Sequence, residues 1–154
     1  MMATSLEELD VLNAVEVIAD DIWKQVTKWN TFERDTVGGQ LARAVDSIGA
    51  NIAESFGRYH FGEKLRFLYY ARGSLYETKY WINRCSARGL FPETQAKDYA
   101  TQLTTIARQL NSFAKSIKTQ QQQNKKIRED KVEYVTENTD SLFSNEDLKS
   151  LSNL

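Results

Sequence analysis

Residues 37–56, VGGQLARAVDSIGANIAESF, carry apolar side chains at Val37, Leu41, Val45, Ile48, Ile52 and Phe56. Steps of three and four residues trace one face of an α-helix and fit no strand. At about 100° per residue, Gly38, Ala42, Gly49 and Ala53 form a second face of small residues. Gly39 sits at its edge and Asp46 interrupts it. Interior glycines cost about 1 kcal/mol each relative to alanine, so close approach of a neighbouring helix is the expected reason for them. A third line, Gln40, Arg43, Ser47, Asn51 and Glu54, is polar. It reads either as a solvated face or as a partly buried network that fixes helix register or meets a partner. Arg43 and Glu54 are too far apart to pair, so each is expected to find its partner on another helix. Asp35 or Thr36 can cap the start of this helix, and Gly57 stands where a left-handed C-cap is needed.

Working outward, three more long helices flank this one. The first runs from about Leu6 to Trp29, with a stripe of Leu12, Val15, Ile18, Ile22, Val26 and Trp29. Ser5 and Glu8 have the spacing of a capping box. The third follows the connector Arg58 to Phe61 and ends near Arg88, with Gly89 as its stop. The fourth opens at Pro92, where no backbone N–H is needed, and carries Ala96, Tyr99, Leu103, Ile106, Leu110, Phe113 and Ile117. Connections this short put consecutive helices side by side. The expected fold is all-α: an up-down antiparallel four-helix bundle over residues 1–118. From Thr119 onward, a glutamine run and charge-dense, Ser- and Asn-rich sequence predict a polar, mostly disordered tail over 119–154. Ser144 and Asp147 can cap a short helix within it.

The chain has 154 residues, 20 basic and 21 acidic, so its net charge of −1 gives no global case for nucleic acid. No apolar run is long enough for a membrane span, and the acidic N-terminal stretch does not resemble a signal peptide, so a cytoplasmic protein is expected. One cysteine, Cys85, and one histidine, His60, leave no disulfide framework, no multi-cysteine zinc site and no His-pair metal motif. Di-iron bundles need Glu-x-x-His pairs, yet Glu54 is followed at the third position by Gly57 and Glu77 by Tyr80. Glu7, Glu8 and Asp10 read as first-turn acids favoured by the helix dipole, and there is no phosphate-binding loop. Cys85 reads as a small core residue and His60 as a surface residue of a connector. Asp46 beside Arg43 suggests a local ion pair. No catalytic residue, cofactor, metal or small-molecule substrate is expected.

The third helix carries the strongest functional signal. Leu68, Leu75 and Ile82, flanked by Ala71, Thr78 and Cys85, face the bundle. A second arc holds Leu65, Tyr69, Tyr76 and Tyr80, and a third holds Phe67, Tyr70 and Trp81. One bundle core buries an arc of about 100°, and the apolar and aromatic residues here span well over half the circumference. Tyrosine, tryptophan and arginine are the side chains enriched at protein interfaces. A homo-oligomer is therefore expected, with Tyr69, Tyr70, Tyr76, Tyr80 and Trp81 in the contact. A nucleic-acid reading stays open beside it, because residues 34–88 carry nine basic and five acidic residues, and arginine interleaved with tyrosine can stack bases.

The motifs QLARAVDSIGANIAESFGRY (40–59) and LRFLYYARGSLYETKYWI (65–82) resemble the signature of the 23S ribosomal RNA intervening-sequence protein family. That family of four-helix-bundle proteins includes the accessory variability determinants of diversity-generating retroelements. The matching polar positions are Gln40, Arg43, Ser47, Asn51, Glu54, Arg58, Arg66, Arg72 and Glu77, and Gly73 also matches. Gly49 and Ser55 replace a proline and a glycine of the family pattern. The resemblance implies a ring-like homo-oligomer, a pentamer. For the retroelement branch it implies a basic channel that meets a reverse transcriptase and nucleic acid, with Arg43, Arg58, Arg66 and Arg72 as candidate contacts. That branch's strongly basic balance is absent here. For most members no biochemical activity is implied. The expected function is a non-enzymatic oligomeric scaffold or adaptor; the alternative is a nucleic-acid-binding accessory factor acting with RNA or a reverse transcriptase.

Overall fold

The computed structural model describes residues 5–128 and 141–153, apart from the side chains of Glu7 and Arg128. Among them there is no strand. Four helices form the bundle: α1 (Asp10–Val26), α2 (Gly39–Gly57), α3 (Phe61–Ala87) and α4 (Glu93–Arg128). A fifth, α5 (Asn145–Ser152), lies against α4. Each bundle helix packs on the next, α4 closes on α1, and α2 with α3 is the most extensive pair. This is the up-down arrangement that short connections dictate. No helix among the described residues is long and apolar enough to cross a membrane.

The predicted stripes are the core. Val15, Ile18, Ile22, Leu41, Val45, Ile48, Ile52, Leu68, Leu75, Ile82, Leu103, Ile106 and Leu110 are buried in one cluster. Trp29, Phe56 and Phe113, each at or near the end of its stripe, are only partly buried. Tyr99 is fully buried, and its hydroxyl donates to Asp21 Oδ2 at 2.6 Å, tying α4 to α1. Its ring meets Phe91 edge-on at 5.3 Å, and Phe91 in turn meets Trp29 at 5.2 Å. These rings fill the end of the bundle where α1 leaves and α4 enters.

The helix ends depart from the sequence expectations in physically intelligible ways. Ser5 makes no side-chain cap; a single 3-10 turn, Leu6–Glu8, precedes α1, which starts at Asp10. The helical run into α2 begins earlier than Asp35 or Thr36. Asn30 accepts from the Glu33 N–H at 3.0 Å, a turn Thr31–Glu33 follows, and a π-helical stretch, Arg34–Gly38, leads directly into α2. Gly57 is not left-handed; the one described positive φ is 76°, at Gly89. At the end of α2, Lys64 Nζ from α3 donates to the carbonyls of Ser55 and Phe56, while Ser55 Oγ donates back to the Lys64 carbonyl at 2.7 Å. A cation on the last carbonyls does there what a glycine turn does elsewhere.

Close packing at the small-residue face is concentrated at one position. A Cβ on Gly38 would lie 2.7 Å from Val26 Cγ1 and 3.3 Å from Trp29 Cε3, whereas one on Gly49 would meet Val15 and Leu12 at 3.4 and 3.6 Å. Gly38→Ala therefore forces neighbours apart, at a cost of about 1–3 kcal/mol, and lowers the thermal midpoint. Gly49→Ala makes ordinary contacts and gains helix propensity of up to about 1 kcal/mol, so it leaves the midpoint level or raises it. Thermal unfolding of the two variants followed by circular dichroism checks the opposed signs.

The tail is the largest departure. Residues 129–140 and Leu154 lie outside the described residues, but the described part of the segment expected to be disordered is folded. Helix α4 continues to Arg128, and residues 141–153 return to the bundle with Leu142, Phe143 and Leu151 buried. The anticipated cap is present in full. Ser144 Oγ accepts from the Asp147 N–H at 3.1 Å, and Asp147 Oδ2 accepts from the Ser144 N–H at 2.8 Å. Composition suggested disorder because polar residues dominate; three well-placed apolar anchors and this cap outweigh it.

Candidate functional site

The polar line of α2 is a partly buried network at its centre. Asn51 Nδ2 donates to the Ser47 carbonyl at 2.9 Å and to Ser47 Oγ at 3.3 Å. Ser74 of α3 donates to Ser47 Oγ at 3.0 Å. The line thus fixes α2 against α3 through short hydroxyl contacts that only small side chains permit. Glu54 finds its partner one turn along its own chain, at Arg58, rather than on another helix as expected. The Arg58 guanidinium also lies 4.7 Å over the Phe67 ring. Arg43 folds back along α2 toward Gly39. Asp46 makes no ion pair with Arg43; burial, and then the nearby Asp20 carboxylate of α1, raise its pKa above the usual carboxylate value.

At one end of the bundle, the opening of α2 and the end of α3 enclose a groove of about 680 Å³. Phe32, Trp81, Gln40, Arg43 and Arg88 line it, together with the acidic Glu33 and Asp35. Phe32 stands well exposed beside it.

Helix α3 presents two very different flanks. On one, residues 141–153 cover it. Arg72 Nε donates to the Leu142 carbonyl at 2.8 Å, and its guanidinium lies over the rings of Tyr76 and Phe143 at 5.0 and 5.6 Å. Tyr76 donates its hydroxyl to Asp147 Oδ1 at 2.9 Å. Lys79 donates to the carbonyl of Asn153. From α4, Asn111 accepts from the Phe143 N–H and donates to the Phe143 carbonyl, both at 2.8 Å. Burial raises the Tyr76 pKa and lowers that of Lys79. The Ser144 backbone N–H, with Tyr76, holds Asp147 below the usual carboxylate range. Tyr76, expected at a subunit contact, is thus engaged by its own chain.

The other flank is open. Tyr69, Tyr70 and Tyr80 are 48, 52 and 55% exposed, and Trp81 is partly exposed, with Nε1 donating to Glu77 and its ring edge-on to Tyr80. Helical spacing places these four rings on either side of the line Arg66, Gly73, Glu77, Arg84. Gly73 lies near the middle of this 27-residue helix, is exposed, and a Cβ built there meets nothing within 4 Å. Nothing among the described residues requires a glycine at that point.

The four candidate nucleic-acid arginines do not form one surface. Arg72 is occupied by residues 141–153 and Arg58 by Glu54 and Phe67, while Arg43 and Arg66 are exposed on different helices. Cys85 is buried, and its thiol is pushed up to about 12 by burial, which suits packing rather than nucleophilic attack. His60 is exposed and meets Tyr59 edge-on at 5.2 Å. Among the described residues no group of three or more potential metal ligands comes together. Lys79, Asn111 and Phe143 were not legible as functional positions. The available signal was Phe143 immediately before the Ser144 cap with Leu148 four residues into the helix, the spacing of a hydrophobic staple.

A family model described as 23S rRNA-intervening sequence protein matches residues 7–112, which span all of α1, α2 and α3 and much of α4. No curated protein matches the chain.

Proposed function

The chain belongs to the 23S rRNA-intervening sequence protein family, and we propose that it acts in the cytoplasm as a non-enzymatic scaffold or adaptor assembled from several copies of itself. The observation that carries this reading is Gly73, exposed and uncrowded, among the rings of Tyr69, Tyr70, Tyr80 and Trp81. A glycine inside a helix costs about 1 kcal/mol, and only a body outside the described residues gains from the missing Cβ at this place. Rigid aromatic rings around a shallow notch are what a packed interface uses as anchors. Ser47, Asn51 and Ser74 then serve to hold α2 and α3 in the register that presents this face. Light scattering at micromolar concentration is expected to return a multiple of 17.7 kDa, five chains if the assembly is the pentamer that the family resemblance implies. A mass of one chain overturns the proposal.

A second reading, an accessory factor that binds nucleic acid, draws on the groove that brings Phe32 and Trp81 together with Arg43 and Arg88. Rings can stack bases and guanidinium groups can neutralise phosphates. It ranks second because Glu33 and Asp35 line the same groove and oppose phosphate. A gel shift with single-stranded RNA at low ionic strength separates the two: binding that weakens steeply with added salt supports the second reading, and no binding removes it.

A further inference from the structure

We propose that segment 141–153 is an exchangeable ligand of the groove between α3 and α4, and that this groove of one copy accepts the same segment from a second copy. This contact is separate from the open face of α3 and does not rest on the assembly proposed there.

The groove recognises its occupant as a peptide is recognised, through the main chain. Asn111 pairs with both the N–H and the carbonyl of Phe143, Arg72 takes the carbonyl of Leu142, and Lys79 takes that of Asn153. Three side chains of the bundle thereby grip the backbone at both ends of a short segment. Side-chain specificity is added by Phe143 against Tyr76, at 5.9 Å between ring centres, and by Asp147 on the Tyr76 hydroxyl. The segment also carries its own helix cap: both residues of the capping box, Ser144 and Asp147, lie within it. All four recognising residues, Arg72, Tyr76, Lys79 and Asn111, fall inside the family match at residues 7–112, and the segment falls outside it.

The tether allows the exchange. From Asn111, α4 runs on to Arg128, about 26 Å at 1.5 Å per residue. The chain from Arg128 to Phe143 spans at most about 50 Å, at 3.3–3.6 Å per residue. That is about twice the distance needed to return to its own groove, so chain length does not confine the segment to its own copy. Swapping an identical element between identical chains replaces every contact by its equal, so it carries little enthalpic penalty.

The test uses full-length chains and a fluorescent synthetic peptide of residues 141–153. In one chain Phe143→Asp releases the chain's own segment and leaves the groove open; Leu151→Asp makes a second chain of the same kind, should the first fail to fold by circular dichroism. Fluorescence polarisation is expected to show saturable peptide binding to these chains. Binding to the unmodified chain should be weaker by about tenfold or more, because its tethered segment competes at high effective concentration. Adding Asn111→Ala to the open-groove chain should abolish binding. A full-length chain carrying Arg72→Ala and Asn111→Ala, whose own groove is broken and whose segment is free, should displace the peptide; adding Phe143→Asp to it should remove that ability. No peptide binding to either open-groove chain overturns the proposal, as does binding insensitive to Asn111→Ala. Peptide binding without displacement by the groove-broken chain overturns the second copy as occupant.

Discussion

Tyr99→Ala is expected to lower the thermal midpoint by about 6–20 °C. Truncating a fully buried aromatic costs about 3–5 kcal/mol, and each kcal/mol shifts the midpoint of a domain this size by roughly 2–4 °C. Tyr99 is buried without remainder, its ring supports Phe91, and its hydroxyl holds Asp21 of α1. The residue therefore joins the fourth helix to the first and closes the ring of helices. Tyr99→Phe separates the two contributions: it keeps the ring and removes only a hydrogen bond to a carboxylate, worth about 1.5–3 kcal/mol.

The same residue gives the protein an alkaline limit. Burial first, and then the Asp21 bond, raise the Tyr99 phenol far above its ordinary value of 10.0. Burial raises the Cys85 thiol from 9.0 to about 12. The folded state holds both protons more tightly than the unfolded chain does. Their contribution is complete below pH 9 and is lost as the pH rises, through about 12 for Cys85 and beyond that for Tyr99. Unfolding by denaturant across pH 8–12 should show stability falling from about pH 9 upward. Tyr99→Phe should flatten the part of the fall above pH 10 and leave the part due to Cys85. A fall above pH 10 left unchanged by Tyr99→Phe would contradict the burial assigned to Tyr99.

Tyr80→Asp should reduce the proposed assembly to single chains with helicity unchanged. Tyr80 is more than half exposed in the single chain, so a carboxylate there meets only water until a neighbour covers it. Burying that charge in an interface without a partner costs several kcal/mol, enough to dissociate a micromolar complex. Gly73→Leu sharpens the test because its two effects have opposite signs. In the isolated chain a Cβ at this position meets nothing within 4 Å, and the helix gains up to about 1 kcal/mol of propensity. In the assembly it fills the notch a neighbour would occupy. A mass of 17.7 kDa with helicity retained is the expected result; an unchanged oligomeric mass with either variant counts against the α3 face as the contact. Tyr76→Asp, which the bare sequence also recommends, instead disturbs residues 141–153, since Tyr76 already bonds Asp147.

How far the sequence carries depends on the range of the interaction. Helical period is local, set by side chains three and four residues apart, and so the stripes from Leu12 to Val26 and from Ala96 to Ile117 are readable directly. Their short connections then leave little choice but an up-down bundle. The Ser144–Asp147 cap is equally local, a contact over three residues, and it too was legible. The excess of aromatic residues on α3 was countable in the sequence, but what covers each ring was not.

That allocation belongs to the tertiary structure. Whether Tyr76 faces water, a neighbour or its own chain depends on Phe143 and Asp147, some 70 positions away, and no periodicity reports a contact over that separation. Likewise Gly38 and Gly49 look alike on the small-residue face read from the sequence, and only the packing of Val26 and Trp29 makes one of them crowded. Sequence alone determined the helices, their order and the face each buries, because backbone geometry and hydrophobic burial act along the chain. Tertiary structure alone decided which exposed groups are already satisfied, because hydrogen bonds and ring contacts between distant residues exist only after the chain has been brought together.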